Sequence, residues 1–255
     1  MEPDVTPTGR TRKKGFTRRQ VIGEVRVTFL GTTTLLIDDG TTQLLFDTFI
    51  TDVPLHGSVS TINIGRGGDV PEAQLEDFRL HQPVNLGAFT VTALASKHSP
   101  GTKGGDGTPI TGPLRQPAKA GAYFEGGSYD FHIRHGAHSI LVKASAGYLP
   151  GGLEDVRADV MFCATAGSMG KDASFRQAFY EQAVATVRPK LFVPLHWNDF
   201  FHPVTDHLEA NMKAIDNVAA GWDYLIKQLR NTNATFAPMQ GYSKVILFGS
   251  TGRGV

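Results

Sequence analysis

Two histidines stand where predicted strands end, and an imidazole in such a place can ligate a metal, move a proton or simply hydrogen-bond its surroundings. Residues 87–95 alternate polar and apolar side chains as a half-buried strand does, then run into Ser96-Lys97-His98-Ser99-Pro100-Gly101. The apolar run Leu191-Phe192-Val193 leads through Pro194 to His196, which Trp197 follows. Taken singly, a loop histidine is more often solvated than metal-bound, and a strand-end histidine beside an aromatic ring is also what ordinary packing produces. A third group, His132, His135 and His138, has a spacing that suggests a metal, but the local pattern argues for a hairpin instead. Tyr129, Phe131 and Ile133 alternate into a strand, Gly136 marks a turn and residues 139–142 begin the return, so these three are expected at a solvent-facing tip. Cys163 is the only cysteine, which excludes a disulfide within the chain. It sits in the apolar run Val160-Met161-Phe162-Cys163 and reads as a small core hydrophobe rather than a nucleophile.

These residues need a frame. Val25, Val27 and Phe29 alternate into a first strand, and residues 35–37 and 44–46 supply two more around the turn Asp38-Asp39-Gly40. Residues 173–187 place Phe175, Phe179, Ala183 and Val187 on one helical face, which Pro189 ends. Asp206-His207-Leu208-Glu209 has the form of a helix cap, and Leu208, Met212, Ile215, Val218 and Trp222 follow it at helical spacing. A last strand is expected over residues 245–248. The Gly- and Pro-rich residues 99–117 read as a long loop, without the lysine and helix start of a phosphate-binding loop.

The stretch Glu24 to Gly40 with Gln43 to Asp47, the strand ending at His98 and the segment 188–201 together resemble the metallo-β-lactamase fold superfamily of metal-dependent hydrolases, closest to a lactonase-like, twin-arginine-signal-bearing branch. The resemblance implies an α/β fold, a metallo-β-lactamase-like αββα sandwich with two packed sheets. It implies zinc, with His98 and His196 as metal ligands and Asp47 as the acidic residue under the metal, although a strand-end Asp also caps loops. It departs from that pattern at a decisive place. The H-x-H-x-D-H motif is absent, and the chain passes from residues 47–50 through His56 directly into residues 60–68, as though one strand-loop-helix unit were missing. Where the family's bridging Asp is expected, residues 139–150 carry no carboxylate and a Ser-Ala-Gly run fills the position. A catalytic zinc needs three protein ligands and an open site for water, so Asp47, His56 and Asp199 stand as additional candidates. One ion or none is expected. The implied activity is zinc-dependent hydrolysis of an ester, lactone or phosphoester, reduced or lost in this chain. The alternative is a catalytically silent relative, a binding protein or the product of an internally deleted gene.

With 255 residues, 40% hydrophobic and 19% charged, the chain can bury one sizeable core. A formal net charge of +1 gives no reason to expect nucleic acid, so the expected partner is a small-molecule substrate. No apolar stretch is long enough to span a membrane. Loss of an internal unit would expose apolar surface and favour an oligomer. Arg10, Arg12, Lys13, Lys14, Arg18 and Arg19 crowd the first residues, and residues 17–23 resemble a twin-arginine signal without its apolar part. Residues 1–23 are therefore expected to be a tail or signal remnant and residues 24–255 the domain. The chain as written is expected in the cytoplasm, and a complete signal in a parent protein would export it.

Overall fold

Alternating apolar residues build the first sheet. The computed structural model describes residues 24–46, 61–62, 78–100, 118–119, 127–167, 173–213 and 216–248. β1 (Val25–Phe29), β2 (Leu35–Asp38) and β3 (Gln43–Phe46) form an antiparallel meander with Val27 opposite Ile37 and Leu36 opposite Leu45. The turn between β2 and β3 is held by Asp39, whose carboxylate accepts the N–H groups of Thr41 and Thr42 at 2.8 and 2.7 Å, while Gly40 takes φ +91°.

β4 (Thr61–Ile62) and β7 (Ala118–Lys119) pair with each other. β5 (Pro83–Leu86), β6 (Phe89–Ser96), β8 (Ser128–His135), β9 (His138–Lys143), β10 (Val160–Ala164), β11 (Leu191–Leu195) and β12 (Thr235–Phe236) make a mixed sheet in the order β12-β11-β10-β9-β8-β6-β5. β13 (Lys244–Leu247) returns to the first sheet beside β1, giving the order β13-β1-β2-β3.

The two sheets pack face to face, and the parity of each strand assigns its side chains. In β10 every residue is buried, because both faces are covered. Val160 and Phe162 join Val27, Ile37, Phe89 and Val193 between the sheets. Met161 and Cys163 point the other way, against Phe179, Val184, Leu225 and Leu229 of the helices. Burial pushes the Cys163 thiol up to about 12, as suits a core residue and not a nucleophile.

α1 (Ala173–Phe179) continues as a wider π-helical stretch, Tyr180–Ala185, and ends before Arg188, at φ +56°, and Pro189. This is the helix expected over 173–187. The second helix begins later than its pattern predicts. α2 (Val218–Arg230) starts at Asn217, whose side chain accepts the Ala220 N–H. Residues 206–213 have other partners. Ala210 bridges Asn198, the Asn211 N–H donates to the Trp197 carbonyl at 3.0 Å, and the Leu208 N–H donates to the Gln240 side chain at 2.7 Å.

The hairpin expected at His132 to His138 exists, with Gly136 at φ +58° in the turn, but its histidines do not simply face solvent. His132 Nε2 lies 3.0 Å from the Arg157 carbonyl, His135 Nε2 lies 3.3 Å from the Asp39 carboxylate, and His138 stacks on Phe248 at 4.2 Å. Among the described residues no helix is long and apolar enough to cross a membrane.

Candidate functional site

At one end of the sandwich, the β1–β2 turn of the first sheet faces the ends of β6, β9 and β11 of the second, enclosing a cleft of about 520 Å³. The turn is pinned to the segment after β11 from two directions. The His196 N–H donates to the Thr32 carbonyl at 2.6 Å, and the fully buried Asn198 takes the Thr32 N–H on its Oδ1 at 2.9 Å. Thr32 and His196 both hold left-handed backbone, at φ +50° and +56°. Such conformations persist where surroundings over-determine them, and they cluster at functional sites. Phe200 stands edge-on to the His196 ring at 5.3 Å.

Beneath the opposite wall, a buried ion pair ties three strand ends together. Lys143 Nζ, at the end of β9, lies 3.1 Å from Asp130 Oδ2 on β8 and donates to Ser96 Oγ at the end of β6 at 2.9 Å. The Lys143 and Asp130 side chains are 1% and 2% exposed. Burial pushes the Asp130 carboxyl up, and Lys143 and Ser96 offset part of that shift.

The loops that leave these strand ends clasp each other. The Ser99 N–H donates to Ser145 Oγ at 3.0 Å, the Ala146 N–H donates to Ser99 Oγ at 3.1 Å, and the two hydroxyl oxygens are 3.4 Å apart. The close approach requires Gly147, because a side chain there would run into the carbonyl oxygens of Lys97 and His98.

His98 and His196, far apart in sequence, line this one cleft. Asp199 turns to its own loop, where Oδ1 accepts the Phe201 N–H and Oδ2 pairs with His202 Nδ1, both at 2.9 Å. Asp47 and His56 lie outside the described residues. Phe46, just before Asp47, packs on Phe131 of the cleft wall with ring centroids 5.2 Å apart. Among the described residues no three of His, Cys, Asp and Glu come together as a metal group. Two imidazoles fall short of the three protein ligands of a catalytic zinc, so the described residues do not by themselves fit one. The features that the sequence reading missed are the serine clasp, the Lys143–Asp130 pair and the Thr32–Asn198 link. The one local signal was Lys143, a charge directly after the apolar run 140–142.

The arrangement of sheets has parallels among solved structures. A metallo hydrolase from the hyperthermophilic archaeon Ignicoccus hospitalis aligns with a TM-score of 0.52 at 12% identity, over 88% of this chain and 98% of that one. The metallo-β-lactamase fold protein YhfI from Bacillus subtilis aligns over 88% of this chain and its own full length, at 12% identity and a TM-score of 0.47. The chain has the metallo-β-lactamase fold. A diiron β-hydroxylase from Streptomyces venezuelae is also similar, at a TM-score of 0.49 and 12% identity, over 88% of this chain and 54% of its own. No family model matches the chain, and no curated protein matches it in sequence. At such identities the likeness concerns the fold, and function has to be argued from the site.

Proposed function

We propose that this metallo-β-lactamase-fold protein belongs functionally with the metal-dependent hydrolases of esters, lactones or phosphoesters, with a depleted centre that leaves hydrolysis weak or lost. The observation that carries the reading is the arrival of His98 and His196 at one cleft from loops almost a hundred positions apart. A working zinc centre there requires a further ligand, for which Asp47 and His56 are the candidates. The test is metal content by plasma mass spectrometry after dialysis against metal-free buffer, paired with hydrolysis assays on all three bond classes. Metal well below one ion per chain is expected, with residual hydrolysis abolished by a chelator and by His196→Ala. Hydrolysis that survives both treatments would remove the proposal.

The second reading is a silent relative that binds without turnover. It is favoured by the Ser145-Ala146-Gly147 run, where the resemblance calls for a carboxylate and the structure has a serine clasp instead. Substoichiometric metal with no hydrolysis of any class would select it.

A further inference from the structure

We propose that the cleft takes an uncharged, aryl-bearing small molecule, its ring seated on Tyr129 and Phe131 and its reactive bond directed toward His98. The inference rests on the preceding reading for the place of the reactive bond, not for turnover.

Burial along one face of β8 falls away step by step. Ile133, Phe131 and Tyr129 alternate onto the face that meets the first sheet. Ile133 is fully buried there, Phe131 is half-buried and Tyr129 is 46% exposed, so the apolar face of the strand runs out from beneath its cover. It emerges into the cleft, which Phe131 and Tyr129 both line. Two further rings extend this wall. Phe46 of β3 packs on Phe131 with the ring planes at 54°, and Phe78, 42% exposed, meets the same ring edge-on at 6.4 Å. Gly127, at φ +131°, leaves the Tyr129 ring its place, since a Cβ there would stand 3.1 Å from the phenol oxygen.

An aromatic surface left open inside a concave site is what a flat apolar group covers. The rings around Phe131 stand tilted and edge-on to it, an arrangement that a further ring extends with a gain beyond the area it buries. A ring also gives up less freedom on binding than a flexible chain of the same size. The described lining is made of hydroxyl, imidazole, small and aromatic side chains, which suits an uncharged ligand. Lys143, nearby, has its charge matched by Asp130. About 520 Å³ is more than one ring fills, and it leaves space for the part that carries the reactive bond. Strand order sets that part beside His98. β6 is the hydrogen-bonded neighbour of β8, with Ser96 opposite Ser128, so the loop to His98 leaves its strand next to Tyr129. Phe200, edge-on to His196, lines the cleft from the β11 side.

The experiment is ligand-observed NMR titration of metal-depleted protein, kept in chelator, with benzamide, cyclohexanecarboxamide and acetamide, three uncharged amides that differ only in their organic group. Saturable binding of benzamide is expected, about two- to tenfold tighter than that of cyclohexanecarboxamide, with acetamide weakest. Tyr129→Phe keeps the ring and should keep the preference, whereas Tyr129→Leu should bring benzamide down to the level of cyclohexanecarboxamide. Should Tyr129→Leu not fold, the comparison of the two ring amides on the unaltered protein still decides. Absence of saturable benzamide binding, equal binding of the two ring amides, or an undiminished preference in a folded Tyr129→Leu protein would each overturn the proposal. Because binding is read without metal or turnover, a protein that fails to hydrolyse anything still tests it. Chelator-sensitive hydrolysis with no preference for benzamide would sink this inference alone.

Discussion

Lys143 is tightly constrained beside the cleft. It is a charged residue at 1% exposure, compensated by the Asp130 carboxylate and the Ser96 hydroxyl. Breaking a buried pair by deleting one partner leaves the other charge uncompensated, so Asp130→Ala should cost about 3–5 kcal/mol in urea unfolding. Replacing both partners by apolar residues, Lys143→Met with Asp130→Leu, should recover much of that loss, since well-packed apolar side chains often match a buried pair. Equal destabilisation by the single and double changes would show that shape rather than charge holds the strand ends. Gly147 is constrained differently. Gly147→Ala must push the Lys97 and His98 carbonyls away, so a loss of about 1–3 kcal/mol is expected from overpacking. The displaced loop carries His98, so ligand binding in the cleft should fall with it, whereas unchanged binding and stability would show that the loop yields freely.

At the scale of elements, the strands were legible because burial imposes a period of two that survives in the sequence. Val25, Val27 and Phe29 face the core as their alternation requires, and β10 is apolar throughout because sheet and helices cover both faces. Phe162, fully buried between the sheets, should therefore lose about 3–5 kcal/mol on Phe162→Ala, read as a shift in denaturant midpoint. The second helix was misplaced because residues 206–213 carry a helical stripe but hydrogen-bond to Trp197, Asn198 and Gln240, and such distant partners leave no periodic trace. The partners of the β8–β9 hairpin's histidines were hidden for the same reason: Asp39 and His135 are 96 positions apart, yet they join the turns of the two sheets. Burial would raise the Asp39 carboxyl, but the Thr42 and Thr41 N–H groups and His135 outweigh it and hold it below its ordinary value of 3.8. A lowered folded value gives stability that is present above 3.8 and lost as pH falls through the folded value. Asp39→Asn should accordingly flatten melting temperature against pH in the acid range; a slope identical to the parent's would discard this clasp as a source of acid sensitivity.

The whole molecule raises the question of what holds the cleft together when candidate metal ligands among the described residues are so few. His98 and His196 were legible as site candidates because strand ends can be read locally, whereas the contact of Ser99 with Ser145 spans 46 positions and the Asn198–Thr32 link spans 166. Those long-range links, with the Lys143–Asp130 pair and the apolar packing between the sheets, join the described walls of the cleft through protein contacts. A ligand that binds only the folded state stabilises it by mass action, and its removal takes that stability away. If protein contacts suffice, a chelator should leave the melting temperature unchanged. Differential scanning calorimetry reads the comparison. A melting temperature that drops with chelator would mean that a metal, with ligands beyond the described residues, holds the cleft. The serine clasp would then be an accessory to that centre rather than its replacement.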